Sequence, residues 1–214
     1  CMVVSIEHPD TTSYWPKIIT IDYGEEGCEV RPNIIKKGKI IINVSDLFLN
    51  EGAQRTITCD EYYVNDNKIE GTRTVTNMGE NEDGNLVFRT EFTNGLVTTD
   101  EGYEIRRDFV NEREWIAGKE TPYFPWDDEY HITGSGSGSN SEDNSYTREI
   151  TEELYVTRDC RWIRSGEIKF VINETHEIII NYGDGTCDNK ATKIVNGGEE
   201  EEFTLQWRYR RKRG

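Results

Sequence analysis

The sequence predicts an all-β protein, an antiparallel meander of about 12–14 strands arranged as an open or closed barrel or as a sandwich, with pseudo-repeats at its two ends. Three observations carry this expectation. Short runs rich in β-branched and aromatic residues alternate with a period of two. Turn chemistry such as Asn65-Asp66-Asn67, Asp83-Gly84 and Asn94-Gly95 separates them. No stretch of about eleven residues or more carries a helical stripe.

The repeats frame the chain. Ile178 to Asn189 reads Ile-Ile-Ile-Asn-Tyr-Gly-Asp-Gly-Thr-Cys-Asp-Asn, and a fainter copy, Ile-Thr-Ile-Asp-Tyr-Gly-Glu-Glu-Gly-Cys, runs from Ile19 to Cys28. In each, an apolar run ends in Tyr-Gly, three turn residues follow, and a cysteine closes the unit. Gly38-Lys39-Ile40 and Gly166-Glu167-Ile168 supply similar strand starts nearby. The copies differ where chemistry would sit, since Asp184 and Thr186 give way to Glu25 and Gly27. A repeated structural corner fits them better than an active turn.

Residues 1–16, with Pro9, Asp10, Ser13 and Pro16, lack sustained periodicity and read as a flexible tether carrying an N-terminal lipid anchor. Residues 17–207 read as one β domain and residues 208–214 as a basic tail. Within the domain, Gln54–Val64 and Lys68–Asn77 form a hairpin about Asn65-Asp66-Asn67. Asn85–Thr93 and Leu96–Thr99 are expected to pair about Asn94-Gly95, and 102–109 and 112–116 continue the meander. Pro122-Tyr-Phe-Pro-Trp126 interrupts it as an aromatic loop, expected to plug one end of the sheet or, through Tyr123, Phe124 and Trp126, to bind a ligand. Gly134-Ser-Gly-Ser-Gly-Ser-Asn-Ser141 has linker composition, yet strand-like sequence on both sides favours strands running into a polar tip. Segments 161–172, 177–182, 189–195 and 202–209 supply closing strands.

A chain of 214 residues is long enough to bury a core without metals. Its net charge of −16 argues against a nucleic-acid partner, which is held through clustered Lys and Arg. The tail is the exception, with Arg208, Arg210, Arg211, Lys212 and Arg213 as a frayed terminus or a contact for acidic groups.

Of the five cysteines, Cys1 reads as the acylated first residue of a lipoprotein, with an arbitrary chain start as the plainer reading. Cys160 and Cys187 fall on neighbouring closing strands or turns and are the leading disulfide candidate; Cys28 with Cys187 is the alternative. Cys59 lies inside a strand as a free thiol. Without a Cys-x-x-Cys or a nearby His pair zinc is disfavoured, and the acids Asp22, Asp127, Asp128, Glu129, Asp184 and Asp188 read as turn residues before calcium ligands, so no metal or cofactor is expected. No nucleophile elbow, zincin motif or phosphate loop is present, and His8, His131 and His176 stand apart from any catalytic pattern. Trp115, Trp126, Trp162 and Trp207 read as core before sugar platforms.

The strings Tyr63-Val-Asn-Asp-Asn-Lys-Ile-Glu-Gly-Thr-Arg-Thr-Val-Thr-Asn77, Arg113-Glu-Trp-Ile-Ala-Gly118, Ile132-Thr-Gly-Ser-Gly-Ser-Gly138, Cys160-Arg-Trp-Ile-Arg-Ser-Gly166 and Tyr182-Gly-Asp-Gly-Thr-Cys-Asp-Asn-Lys-Ala191 together resemble a family of uncharacterised secreted lipoproteins from Bacteroidota. The resemblance spans about residues 17 to 207 and implies an exported, lipid-anchored, β-rich protein of no assigned enzymatic activity. Cys1 matches the acylation position, whereas Cys59 departs from the family pattern. In this setting Asp10-Thr11-Thr12 looks like the sequon at which Bacteroidota attach O-glycans, with Thr11 as acceptor. The resulting expectation is a non-catalytic outer-membrane lipoprotein, on the cell surface or the periplasmic face, serving as accessory subunit of a membrane protein complex. A surface glycan-binding module is the second reading, and a hydrolase built on an acidic pair the third.

Overall fold

The computed structural model describes residues 1–121 and 123–206. They form one antiparallel sheet of fourteen strands. The first seven are β1 (Val3–Glu7), β2 (Lys17–Asp22), β3 (Cys28–Arg31), β4 (Ile34–Val44), β5 (Gln54–Val64), β6 (Asn67–Glu80) and β7 (Leu86–Thr98). The rest are β8 (Glu104–Ala117), β9 (Glu129–Asn140), β10 (Ser145–Thr157), β11 (Ser165–Ile172), β12 (His176–Asp184), β13 (Lys190–Val195) and β14 (Glu200–Thr204). Every strand pairs with its neighbour in the chain, except that β2 crosses to β4 while the short β3 hangs on the other part of β4. The sheet does not close, and among the described residues no second sheet covers it, so of the architectures the sequence allowed the open one holds.

Register is continuous across the whole sheet. One row of directly opposed residues runs Ile6, Ile19, Ile42, Ile57, Arg73, Phe92, Phe109, Gly136, Arg148, Phe170, Ile178, Val195. The adjacent row runs Glu7, Ile18, Asn43, Thr56, Thr74, Glu91, Val110, Ser135, Glu149, Lys169, Ile179, Ile194, Glu200. Successive residues of a strand point to opposite faces, so the first row belongs to one face and the second to the other. The sheet therefore has an apolar face interrupted by arginines and a polar face of Thr, Ser, Glu and Lys.

A single layer buries little. The described residues build two small apolar clusters, Tyr23–Cys28–Tyr62 near the start and Ile150–Leu154–Ile168 near the end. Among the described residues only Phe88 and Asn77, 1% and 0% exposed, are large side chains shut off from solvent. Phe88 stacks on Phe48 at 4.5 Å between ring centroids. Asn77 Nδ2 donates to the Phe48 carbonyl at 3.0 Å and its Oδ1 accepts from Gly79 N–H at 2.8 Å, which pins the loop between β4 and β5 onto the sheet.

Three expectations need correction. Val3–Glu7 is not tether but an edge strand, because β-branched Val3, Val4 and Ile6 pair in register with β2. Asn94-Gly95 does not reverse the chain. It sits inside β7 as a bulge, with Gly95 opposite Arg107, and the ring of Phe92 covers the space where a Gly95 Cβ would stand, its nearest carbon 2.2 Å away. Third, the Tyr123 and Phe124 side chains do not plug the sheet, because their loop stands in solvent.

Candidate functional site

On β8 the alternation Arg107, Phe109, Asn111, Arg113, Trp115 faces one way and Arg106, Asp108, Val110, Glu112, Glu114 the other. The same alternation places Arg55 of β5, Arg73 of β6 and Arg148 of β10 on the apolar face, and Arg89 of β7 on the polar one. The two sets behave differently. Arg89 is bridged to Glu91 and Glu112, both at 3.1 Å, and Arg106 is paired with Glu104 at 2.5 Å. Among the described residues, none of Arg55, Arg73, Arg107, Arg113 or Arg148 has a carboxylate partner.

Three of these guanidiniums converge. Arg55, Arg73 and Arg113 line a groove of about 410 Å³ together with Phe48, Ile57, Val75, Thr90, Phe109, Asn111 and Ile132. Arg113 stands with its guanidinium carbon 4.7 Å from the Tyr130 ring centre and 5.5 Å from that of Phe88. Its Nε is buried without a hydrogen-bond partner. Arg148 Nη2 donates to Asn111 Oδ1 at 2.6 Å, and Arg55 packs 4.1 Å over Phe48.

Burial lowers the pKa of Arg113; nearby Tyr130 and Asp128 oppose the shift, while the positive Arg158 and Arg73 add to it. Arg148 is lowered for the same first reason, with Arg107 as the repelling neighbour. Like charges gathered on an apolar surface without counter-charge repel one another, so an anion arriving there is met by preformed donors. Tyr130, whose hydroxyl donates to Asp128 Oδ2 at 2.9 Å, is pushed up to about 12 by burial and by that bond.

The polar face carries a larger trough of about 570 Å³ above β9, lined among others by Ser135, Ser137, Thr147, Asp108, Glu149 and Lys169. It exists because the serines of β9 are short. The smaller groove has the stronger chemistry, since its charges lack partners. Also on the polar face, Glu114, His131 and Glu153 bring three metal-ligand atoms within 4.8 Å of one another. His131 Nδ1 is 3.2 Å from Glu153, and Glu114 Oε1 accepts from Asn85 and Asn81 at 2.8 and 2.7 Å, which lowers its pKa. With its oxygen already holding two amides, Glu114 fits an ion-pair network on a sheet surface. The trio converges across β8, β9 and β10 and leaves no spacing signature along the chain.

The residues singled out from sequence are scattered. Cys160 and Cys187 form a disulfide with Cα atoms 5.8 Å apart. Cys28 is bonded not to Cys187 but to Cys1, with Cα atoms 5.6 Å apart. A sulfur in that bond has no thiol left to carry a thioether-linked lipid, so the acylated Cys1 expected from the sequence and this disulfide exclude each other. Cys59 is free and half-buried, its pKa raised by burial first and then by Glu70. Thr11 sits in an exposed turn between β1 and β2, where Asp10 Oδ1 accepts from Thr12 rather than from Thr11. Tyr123, Phe124 and Trp126 are 99%, 56% and 63% exposed. Trp207 and the basic tail from Arg208 on lie outside the described residues.

The arginine groove was missed because its members are far apart in sequence and meet only through register. Alternation within β8 was the one available signal, as Arg107, Phe109, Asn111 and Arg113 share a face there. Comparison with family models, with curated proteins and with solved structures finds no match to this chain.

Proposed function

We propose that the protein is a non-catalytic interaction module, an exported accessory subunit that docks onto a membrane protein complex through one face of its sheet. The observation that carries this reading is the apolar face itself, which among the described residues has five arginines lacking carboxylate partners and no second layer over it. Two disulfides support an oxidising compartment. Membrane attachment rests on the lipoprotein resemblance and requires Cys1 free of Cys28. The test is purification from native membranes in mild detergent. A stoichiometric membrane partner that comigrates with the protein is expected; a protein that migrates alone after chemical cross-linking removes the reading.

A second reading, a surface glycan-binding module, is favoured by the solvent-facing Tyr123 and Trp126, since exposed aromatic rings supply stacking platforms for sugars. A glycan array gives hits that Trp126→Ala abolishes if this reading holds.

A further inference from the structure

We infer that the groove around Arg55, Arg73 and Arg113 binds an acidic segment of another protein, one in which Asp or Glu alternates with apolar side chains along a single face. This deepens the accessory-subunit reading and rests on it. The groove offers two chemistries at once. Guanidiniums without carboxylate partners provide bidentate sites for carboxylates, and Ile57, Val75 and Phe109 between them provide apolar contact. Arg113 Nε is buried without a hydrogen-bond partner, a desolvation cost carried at the edge of this groove.

Geometry narrows the occupant. By register Arg73 lies in the row of Phe92 and Phe109 and Arg113 two rows further on, opposite Phe88, so the two stand about 14 Å apart along the strand direction with Arg55 in the row between. An extended polypeptide repeats its same-side side chains about every 7 Å, so carboxylates four residues apart reach Arg73 and Arg113 while the same-side apolar residue between them meets Ile57, Val75 or Phe109. A phosphate polymer offers nothing to Ile57, Val75 or Phe109. The whole chain, with a net charge of −16, repels an acidic partner on average, so guanidiniums without carboxylate partners give the encounter its direction.

The experiment is fluorescence anisotropy with a labelled peptide of about a dozen residues in which Glu and Val alternate at every second position with Ser between them, at low and high salt. The paired variant Arg55→Gln/Arg73→Gln tests the groove, because both side chains are exposed and their loss leaves the packing of Arg113 intact. Arg89→Gln on the opposite face is the control. Saturable binding that weakens about tenfold or more in the paired variant and with added salt, and stays unchanged in the control, is expected. Three results overturn the proposal: equal weakening in the control, binding of inorganic polyphosphate without binding of the peptide, and arginine-dependent self-association in the ultracentrifuge. A membrane partner that still copurifies with the paired variant overturns the groove and leaves the accessory reading standing. Peptide binding without any membrane partner supports the groove and removes that reading.

Discussion

Cys1 is bonded to Cys28 across the β1–β2 hairpin, and Cys160 is bonded to Cys187 across the β11–β12 hairpin with the same separation of 27 residues. Each bond closes a unit in which an Asx side chain two residues before a glycine accepts that glycine's N–H, Asp22 from Gly24 at 2.8 Å and Asn181 from Gly183 at 2.9 Å. Proteolysis under non-reducing conditions is therefore expected to yield both cystine peptides. A thioether-acylated Cys1 together with an alkylatable Cys28 would contradict this. Cys160→Ser is expected to cost about 3 kcal/mol through the freed loop, measured by denaturant unfolding.

Phe88 is the most heavily packed aromatic side chain of the sheet, and Phe88→Ala is expected to cost about 3–5 kcal/mol. Tyr123→Ala, at a site 99% exposed, is expected to change stability by less than about 0.5 kcal/mol. Chemical denaturation of the two variants side by side checks both, and comparable losses would mean that the aromatic loop is structural after all.

Gly95→Ala tests the bulge in β7. The added methyl meets the Phe92 ring and the Arg107 carbonyl, 2.2 and 2.3 Å from the Cβ position, so a loss of about 2 kcal/mol or more is expected. Because the backbone carbonyl stays in place, Phe92→Ala does not restore the lost stability. A thermal melt of the single and double variants decides it.

Tyr130 makes stability fall at alkaline pH. Its folded pKa is about 12 against an ordinary 10.0, so the neutral phenol is favoured in the native state. Its contribution is complete below pH 10, where both states keep the proton, and is lost as pH rises from about 10 to about 12, where the unfolded chain ionises first. Tyr130→Phe is expected to flatten that slope in unfolding experiments across this window. An unchanged slope would assign the effect to another group.

Features decided by neighbouring residues were legible in the sequence. Asn65 and Asp66 both take positive φ, 49° and 65°, as a two-residue hairpin turn demands, and the hairpin forms where their chemistry placed it. Asn94-Gly95 carries the same signal, but only Asn94 goes positive, at 54°, and the pair makes a bulge. Local sequence cannot separate those outcomes; the partner strand does. The first disulfide was hidden by assigning Cys1 to a lipid, although the equal spacing of Cys1–Cys28 and Cys160–Cys187 was readable. The arginine groove depends on the register of β5, β6 and β8, which no stretch of sequence encodes alone.

Because strands pair almost only with their neighbours in the chain, the sheet behaves as a zipper of hairpins in which each depends on the next. Closing it needs few distant encounters, which favours rapid folding that starts at any tight turn. A zipper opens from its ends, where a strand has a neighbour on one side only. The two cystines lie towards these ends, one on the first hairpin and one on the hairpin just inside β13 and β14, and so limit how far fraying travels inward.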